Sequence, residues 1–141
     1  MVTCTKRLEF DYGHRVFQHE SKCRNLHGHR GVAEITAYAP EQDSLGRIID
    51  FSVLKERVGK WIDDNWDHNM VLFDQDVEAL KSVRWIKDGR EPFAAPFNPT
   101  AENMAKYLLE VVCPEVLKDT GVKVVKVVLH ETPTGRAEAT L

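Results

Sequence analysis

The stretch Cys23-Arg24-Asn25-Leu26-His27-Gly28-His29 limits what this protein can become more than any other. In an extended strand alternate side chains share a face, so His27 and His29 point one way and Gly28 the other. Two imidazoles held side by side make half of a metal site, and the glycine between them leaves room for another chain or a ligand. A third imidazole, His14, ends the alternating run Leu8, Phe10, Tyr12, His14. Antiparallel pairing of residues 6–17 with 27–38 brings His14 opposite the His27/His29 pair. Three histidines with no obvious fourth protein ligand describe an open zinc site of the catalytic kind. Lone histidines are usually surface or satisfied core residues, and a His-x-His triplet alone is a weak signal. His14, His27 and His29, half of the six histidines and all within sixteen residues, joined to the apolar face of a strand and close to a cysteine, are a stronger one. Cys23 is then a nearby thiol and not a ligand.

Bulk properties narrow the class. A chain of 141 residues, 43% hydrophobic and 29% charged, suits one soluble domain, 1–141, with a modest core. A net charge of −3 speaks against broad nucleic-acid binding. Residues 14–30 nevertheless hold Arg15, Lys22, Arg24 and Arg30 against only Glu20, so this stretch is either a solvated basic loop or the neighbour of a small anion. The opening residues lack the apolar stretch of a secretory leader, and no run reaches membrane-spanning length. Cys4, Cys23 and Cys113 are odd in number and irregularly spaced, which argues against a disulfide framework. A cytoplasmic protein is expected.

Read in order, the chain opens with two strands. The second shows His29, Gly31, Ala33, Ile35 and Ala37 on one face, so the metal face is also the buried face. Turn formers from Pro40 to Gly46 close this unit. Asp50 then caps a helix whose stripe is Phe51, Leu54, Val58, Trp61 and Ile62, read here as core packing. The helix frays into 63–69, where Asp67 and His68 could serve as acid–base partners for a thiol. Residues 74–97 are the least informative; turns flank Asp88-Gly89, Pro92 and Pro96, and Trp85 with Ile86 is expected to anchor the segment to the body. Asn98-Pro99-Thr100 predicts a helix start. Met104, Leu108, Val111 and Val112 form the apolar stripe that follows; Pro114 should disturb its far end, and Gly121 should stop it. The β-branched run Lys123–Leu129 is the clearest strand. It ends in His130-Glu131-Thr132, and a turn leads to a last short strand, 136–141. Glu131 shares a face with Val125, Val127 and Leu129, and a carboxylate ending a buried face needs a partner, whether a surface cap, a salt bridge or a ligand. The order β-β-α-α-β-β predicts an α+β layer, a four-stranded antiparallel sheet with two helices on one face.

Several ordered motifs together resemble the 6-pyruvoyl- and 6-carboxy-tetrahydropterin synthase family. They are His14 after an aromatic strand, Cys23-x-x-x-His27-Gly28-His29, Ile48-Ile49-Asp50-Phe51, Asp67-His68, Asn98-Pro99-Thr100 and His130-Glu131-Thr132. The resemblance spans nearly the whole chain and implies the tunnelling fold, in which trimers close their sheets into a barrel and pairs of trimers stack as a homohexamer. It implies a Zn²⁺ cofactor on His14, His27 and His29, a general base at Cys23 completed by Asp67 and His68, and pterin binding at Glu131 and Thr132. Residues 74–97 look longer than the matching stretch of compact bacterial members.

The chemistry implied is a zinc-dependent lyase acting on 7,8-dihydroneopterin triphosphate. A thiol near Zn²⁺ and a histidine can hold its thiolate near neutral pH and take a proton, and a carboxylate can accept two parallel N–H bonds from the pterin edge. Pyruvoyl-forming members place five residues between the cysteine and His-Gly-His, and carboxy-forming bacterial members three. Only Arg24, Asn25 and Leu26 intervene here, which resembles the second kind. The expected product is 6-carboxy-5,6,7,8-tetrahydropterin, with acetaldehyde and triphosphate, for 7-deazaguanine (queuosine-type) biosynthesis. The alternatives are the pyruvoyl-forming reaction, and a zinc-stabilised module that holds a pterin or purine without turnover.

Overall fold

Apolar and polar residues alternate along the first strand, β1 (Thr3–His14), and burial follows them. Leu8, Phe10, Tyr12 and His14 are buried, and Arg7, Glu9 and Asp11 point the other way. Strand β2 (His27–Tyr38) pairs with it antiparallel in unbroken register from Thr3↔Tyr38 to His14↔His27. His14 therefore sits directly beside the His-Gly-His, as the spacing predicts. The first strand ends before residue 17 because the connection turns back on itself: Gln18 has φ +63°, and the Val16 N–H donates to the Cys23 carbonyl at 2.9 Å. Cys23 lies in the short 3₁₀ turn Lys22–Arg24 that closes this loop.

The computed structural model describes all 141 residues, and its sheet has six strands, not the four expected. The order is β4-β3-β1-β2-β5-β6, with β3 at Asn69–Phe73, β4 at Phe93–Ala95, β5 at Lys123–Thr132 and β6 at Gly135–Thr140. Strands β1, β2, β5 and β6 are the predicted antiparallel four. The two additions run parallel to β1, and both come from the stretch after the first helix. The apolar run Met70-Val71-Leu72-Phe73 is a readable strand signal; three-residue β4 carries almost none.

The first long helix, α1, covers 51–65, and Asp50 caps it by accepting from the Ser52 N–H. Leu54, Val58 and Ile62 are buried, but Phe51 stays 52% exposed because it lies in the first turn, beyond the sheet's reach. Helix α3 covers 101–116 and is capped by Thr100, whose hydroxyl accepts from the Asn103 N–H. Met104, Leu108 and Val112 are buried, while Val111 is 49% exposed and off the stripe. Pro114 does not break this helix. A π-helical turn over Leu108–Val112 precedes it, and the helix runs only two residues beyond it, to Val116. The helix stops at Val116, capped by Leu117, five residues before Gly121; Gly121, at φ +72°, instead supplies the left-handed residue of the turn that leads into β5.

Both long helices pack on the buried face of the sheet. Their stripes meet Leu8, Phe10, Ile35, Val127 and Leu129 in one core. At its end Trp66, fully buried, lies among Phe10, Trp61, Phe93 and Tyr107. Val71 of β3 joins this core, whereas its neighbour Leu72 joins Ala79 and Leu80 in a separate small cluster. Strand alternation then places helix α2 (Val77–Arg84) on the opposite face. Segment 74–97 is not anchored by Trp85 and Ile86, which are 89% and 62% exposed. Polar contacts anchor it instead: Asp76 receives Arg15, and Arg90 donates to the carbonyls of Asp63, Asp64 and Asp67.

Candidate metal centre and active site

His14 is the last residue of β1 and His27 the first of β2, so strand pairing alone sets their rings together. The ring centroids of His14, His27 and His29 form a triangle with sides of 4.7, 4.9 and 5.1 Å. His14 Nδ1 lies 2.7 Å from the Pro99 carbonyl oxygen and His27 Nδ1 2.6 Å from that of Asn25. A carbonyl can only accept, so both Nδ1 atoms carry the proton and both Nε2 atoms keep a free lone pair. Neither carbonyl partner was foreseen from sequence, since no side-chain signal marks a backbone acceptor.

Glu131, near the end of β5, completes the group. Its Oε1 stands 2.8 Å from His29 Nε2 and 3.4 Å from His14 Nε2. One ligand atom from each of His14, His27, His29 and Glu131 falls within 4.8 Å of all the others. The buried Nε2 atoms of His14 and His29 have no hydrogen-bond partner, the Glu131 oxygen being near but badly aligned. Burial lowers the pKa of both His14 and His29, the neighbouring imidazoles add to it, and Glu131 opposes. Three imidazoles converging with a carboxylate, two of them disfavoured as cations by burial, fit a divalent transition metal.

Asp67 and His68 form a second unit. His68 occupies the left-handed region at φ +53°, and its N–H donates to the Asp11 carbonyl at 2.7 Å. Its Nδ1 lies 3.0 Å from Asp67 Oδ2, and the other Asp67 oxygen accepts from the Asp11 N–H at 2.9 Å. The Asp67 hydrogen bond raises the His68 pKa. Burial pushes the Asp67 carboxyl up, but the Asp11 and His68 bonds outweigh it and hold the group below its ordinary value. His68 shares a cavity of about 820 Å³ with His27, His29, Met70, Ile86 and Arg90. Gly13 and Gly28, opposite each other in the β1–β2 ladder, help line it, and Met70 Sδ would lie 2.3 Å from any Cβ at residue 13.

The remaining expected residues are more scattered. Cys23 is half-buried and its thiol is hydrogen-bonded to nothing in the protein; it neither joins the ligand cluster nor lines the cavity. The Thr132 hydroxyl accepts from the N–H groups of Thr134 and Gly135, which holds the β5–β6 turn. Arg90, which fixes the backbone beside His68 and lines the same cavity, was not foreseen, and nothing in its sequence context marks it.

The family model described as 6-pyruvoyl tetrahydropterin synthase matches residues 3–140. The chain belongs to this family. A protein of Rickettsia conorii named 6-carboxy-5,6,7,8-tetrahydropterin synthase is 41% identical over 133 residues, 94% of this chain and 96% of its own. A protein of that name from Haemophilus influenzae is 31% identical over 143 residues, 98% of each chain. Among solved structures, an uncharacterised protein of Wolinella succinogenes superposes with a TM-score of 0.81 at 26% identity, covering 99% of this chain and 97% of that one. The 6-pyruvoyl tetrahydropterin synthase of Caenorhabditis elegans shares the fold at a TM-score of 0.70 and 24% identity, over 99% and 95% of the two chains. The family uses a metal, and the His/Glu cluster is where this protein can hold one. No helix is long and apolar enough to cross a membrane.

Proposed function

We propose that this protein is a zinc-dependent 6-carboxy-5,6,7,8-tetrahydropterin synthase, cytoplasmic and serving 7-deazaguanine biosynthesis. The observation that carries the reading is the convergence of three imidazoles and the Glu131 carboxylate within 4.8 Å. Lone pairs that face a carboxylate repel it unless a proton or a cation lies between them. Relatives named for this reaction, among them one at 41% identity, support the substrate and product. The spacing of three residues between Cys23 and His27 supports the carboxy-forming branch.

His14, His27 and His29 would hold Zn²⁺, which when bound supplies a Lewis acid that makes the substrate's side-chain hydroxyls and adjacent C–H more acidic. Cys23 takes the carbon-bound proton as a thiolate. Asp67 keeps His68 oriented and favours its charged form, so that the pair can relay that proton. Glu131 turns to the aminopyrimidinone edge of the pterin, where one carboxylate accepts two parallel N–H bonds, and Thr132 fixes the turn beside it. Elimination releases triphosphate; cleavage of a carbon–carbon bond in the substrate's side arm then consumes one water, releases acetaldehyde and leaves a carboxyl on the reduced ring.

Mass spectrometry of the products from 7,8-dihydroneopterin triphosphate tests this. We expect 6-carboxytetrahydropterin, acetaldehyde and triphosphate. Accumulation of 6-pyruvoyltetrahydropterin without acetaldehyde would reassign the protein to the pyruvoyl-forming reaction. Zinc uptake with no turnover would leave only the binding module.

A further inference from the structure

The Asn98-Pro99-Thr100 motif does more than begin helix α3. The Asn98 side chain is bonded at both ends to the backbone of one residue: its Oδ1 accepts from the Phe17 N–H at 2.8 Å, and its Nδ2 donates to the Phe17 carbonyl at 3.0 Å. Its own carbonyl accepts from the Thr100 N–H at 2.8 Å and from Asn103 Nδ2 at 3.0 Å. Asn98 thus ties the segment just after β1 to the start of α3, across eighty-one residues of sequence. The next carbonyl, that of Pro99, accepts from His14 Nδ1 at 2.7 Å.

This matters because His14 is fully buried and neutral imidazole has two tautomers of similar intrinsic energy. Only the form protonated at Nδ1 leaves Nε2 free to ligate. The Pro99 carbonyl selects that form, and the two Asn98 bonds hold this carbonyl at the end of β1. No other side chain spans the two segments in this way: Asp would lose the donor to the Phe17 carbonyl, and Ser or Ala could not reach both groups.

We propose that Asn98 is a positioning residue for the metal centre, acting through the Pro99 carbonyl to fix the ligating tautomer of His14. The idea rests on the zinc reading, but its first measurement does not require metal. In metal-free protein labelled with ¹⁵N-histidine, long-range ¹H–¹⁵N correlations report which His14 nitrogen is protonated. Wild type should show the Nδ1–H form alone, and Asn98→Ala a mixture of the two. Zinc affinity, by competition with a chromophoric chelator, should then fall roughly 10- to 100-fold, as for other groups that orient a metal-bound histidine. Val112→Ala, a core truncation remote from the site, serves as the control: it should lower the melting temperature without moving tautomer or affinity. Should Asn98→Ala not fold, the isosteric Asn98→Asp is measured in its place, with the same expectation. A folded Asn98 variant with wild-type tautomer and zinc affinity would overturn the proposal. If wild type takes up no zinc, the metal reading fails, and the tautomer measurement alone decides the role of Asn98.

Discussion

Among single residues the three cysteines differ sharply. Burial pushes the Cys113 thiol up to about 12 and also raises Cys4, which keeps both protonated and poorly nucleophilic at neutral pH. Cys23 sits half-buried on a turn four residues from the first histidine of the pair. Iodoacetamide at neutral pH should therefore label Cys23 first, as peptide mapping would show. Since Cys23 stands outside the ligand cluster, Cys23→Ala should keep its fold and its zinc. It should lose turnover by about two to four orders of magnitude, the usual size of a missing general base. Loss of zinc together with the thiol would instead make Cys23 a ligand and the site structural.

The elements that sequence pattern reached are those whose side chains repeat at a fixed period. Leu8 to His14 alternate and are buried; Leu54, Val58 and Ile62 recur at helical spacing and are buried. Both patterns, with the histidine spacing, carried the antiparallel four strands, the two long helices and the ligand triangle. Segment 74–97 escaped because α2, of eight residues, and β4, of three, are too short for a period to stand out, and the polar contacts that tie the segment down have none. Arg15 donates to Asp76 through Nε at 2.6 Å and Nη2 at 2.5 Å, and that carboxylate, 1% exposed, also caps α2 by accepting from the Ala79 N–H. Trp85 and Ile86 misled for the converse reason: large apolar side chains suggest anchoring, but they lie beyond the end of α2, Trp85 89% exposed and Ile86 on the wall of the cavity beside His68. Arg15→Ala would strand the buried carboxylate, a loss of about 3 kcal/mol for breaking one partner of such a pair. The sign with pH is fixed. The Arg15 hydrogen bond, against burial, holds Asp76 below its ordinary value, so its contribution is complete above the usual carboxylate range and fades as pH falls. Urea unfolding should find the deficit of Arg15→Ala largest at pH 7, narrowing once the unpaired carboxylate of the variant protonates, and smallest below the ordinary carboxylate range, where Asp76 of the wild type protonates too. A deficit that does not change with pH would mean that Arg15 acts by packing alone.

For the whole molecule, a single copy looks incomplete. The sheet face away from the helices carries Arg7, Glu9, Asp11, Arg30, Glu34 and His130, joined by ion pairs of 3.1–3.8 Å. The outer edge of β6 is unpaired, and so is that of β4. Open edges of this kind are normally covered, and closing them with other copies of the protein is the economical way to do so. The site makes the same point: the His68 side chain is 75% exposed, and no hydrogen bond joins it to Cys23 within one subunit. We therefore expect a trimer-based oligomer, most simply a hexamer, in which Cys23 of one subunit works with His68 of the next. Sedimentation at micromolar concentration should give a multiple of three subunits, and a stable monomer would count against it. Subunit mixing is the sharper measurement. Cys23→Ala and His68→Ala should each be inactive alone. If the two residues of a site come from adjacent subunits, denaturing and refolding them together should restore about a quarter of wild-type activity, the share of sites that random mixing leaves intact. If both come from one subunit, every mixed site still carries a lesion and no activity returns.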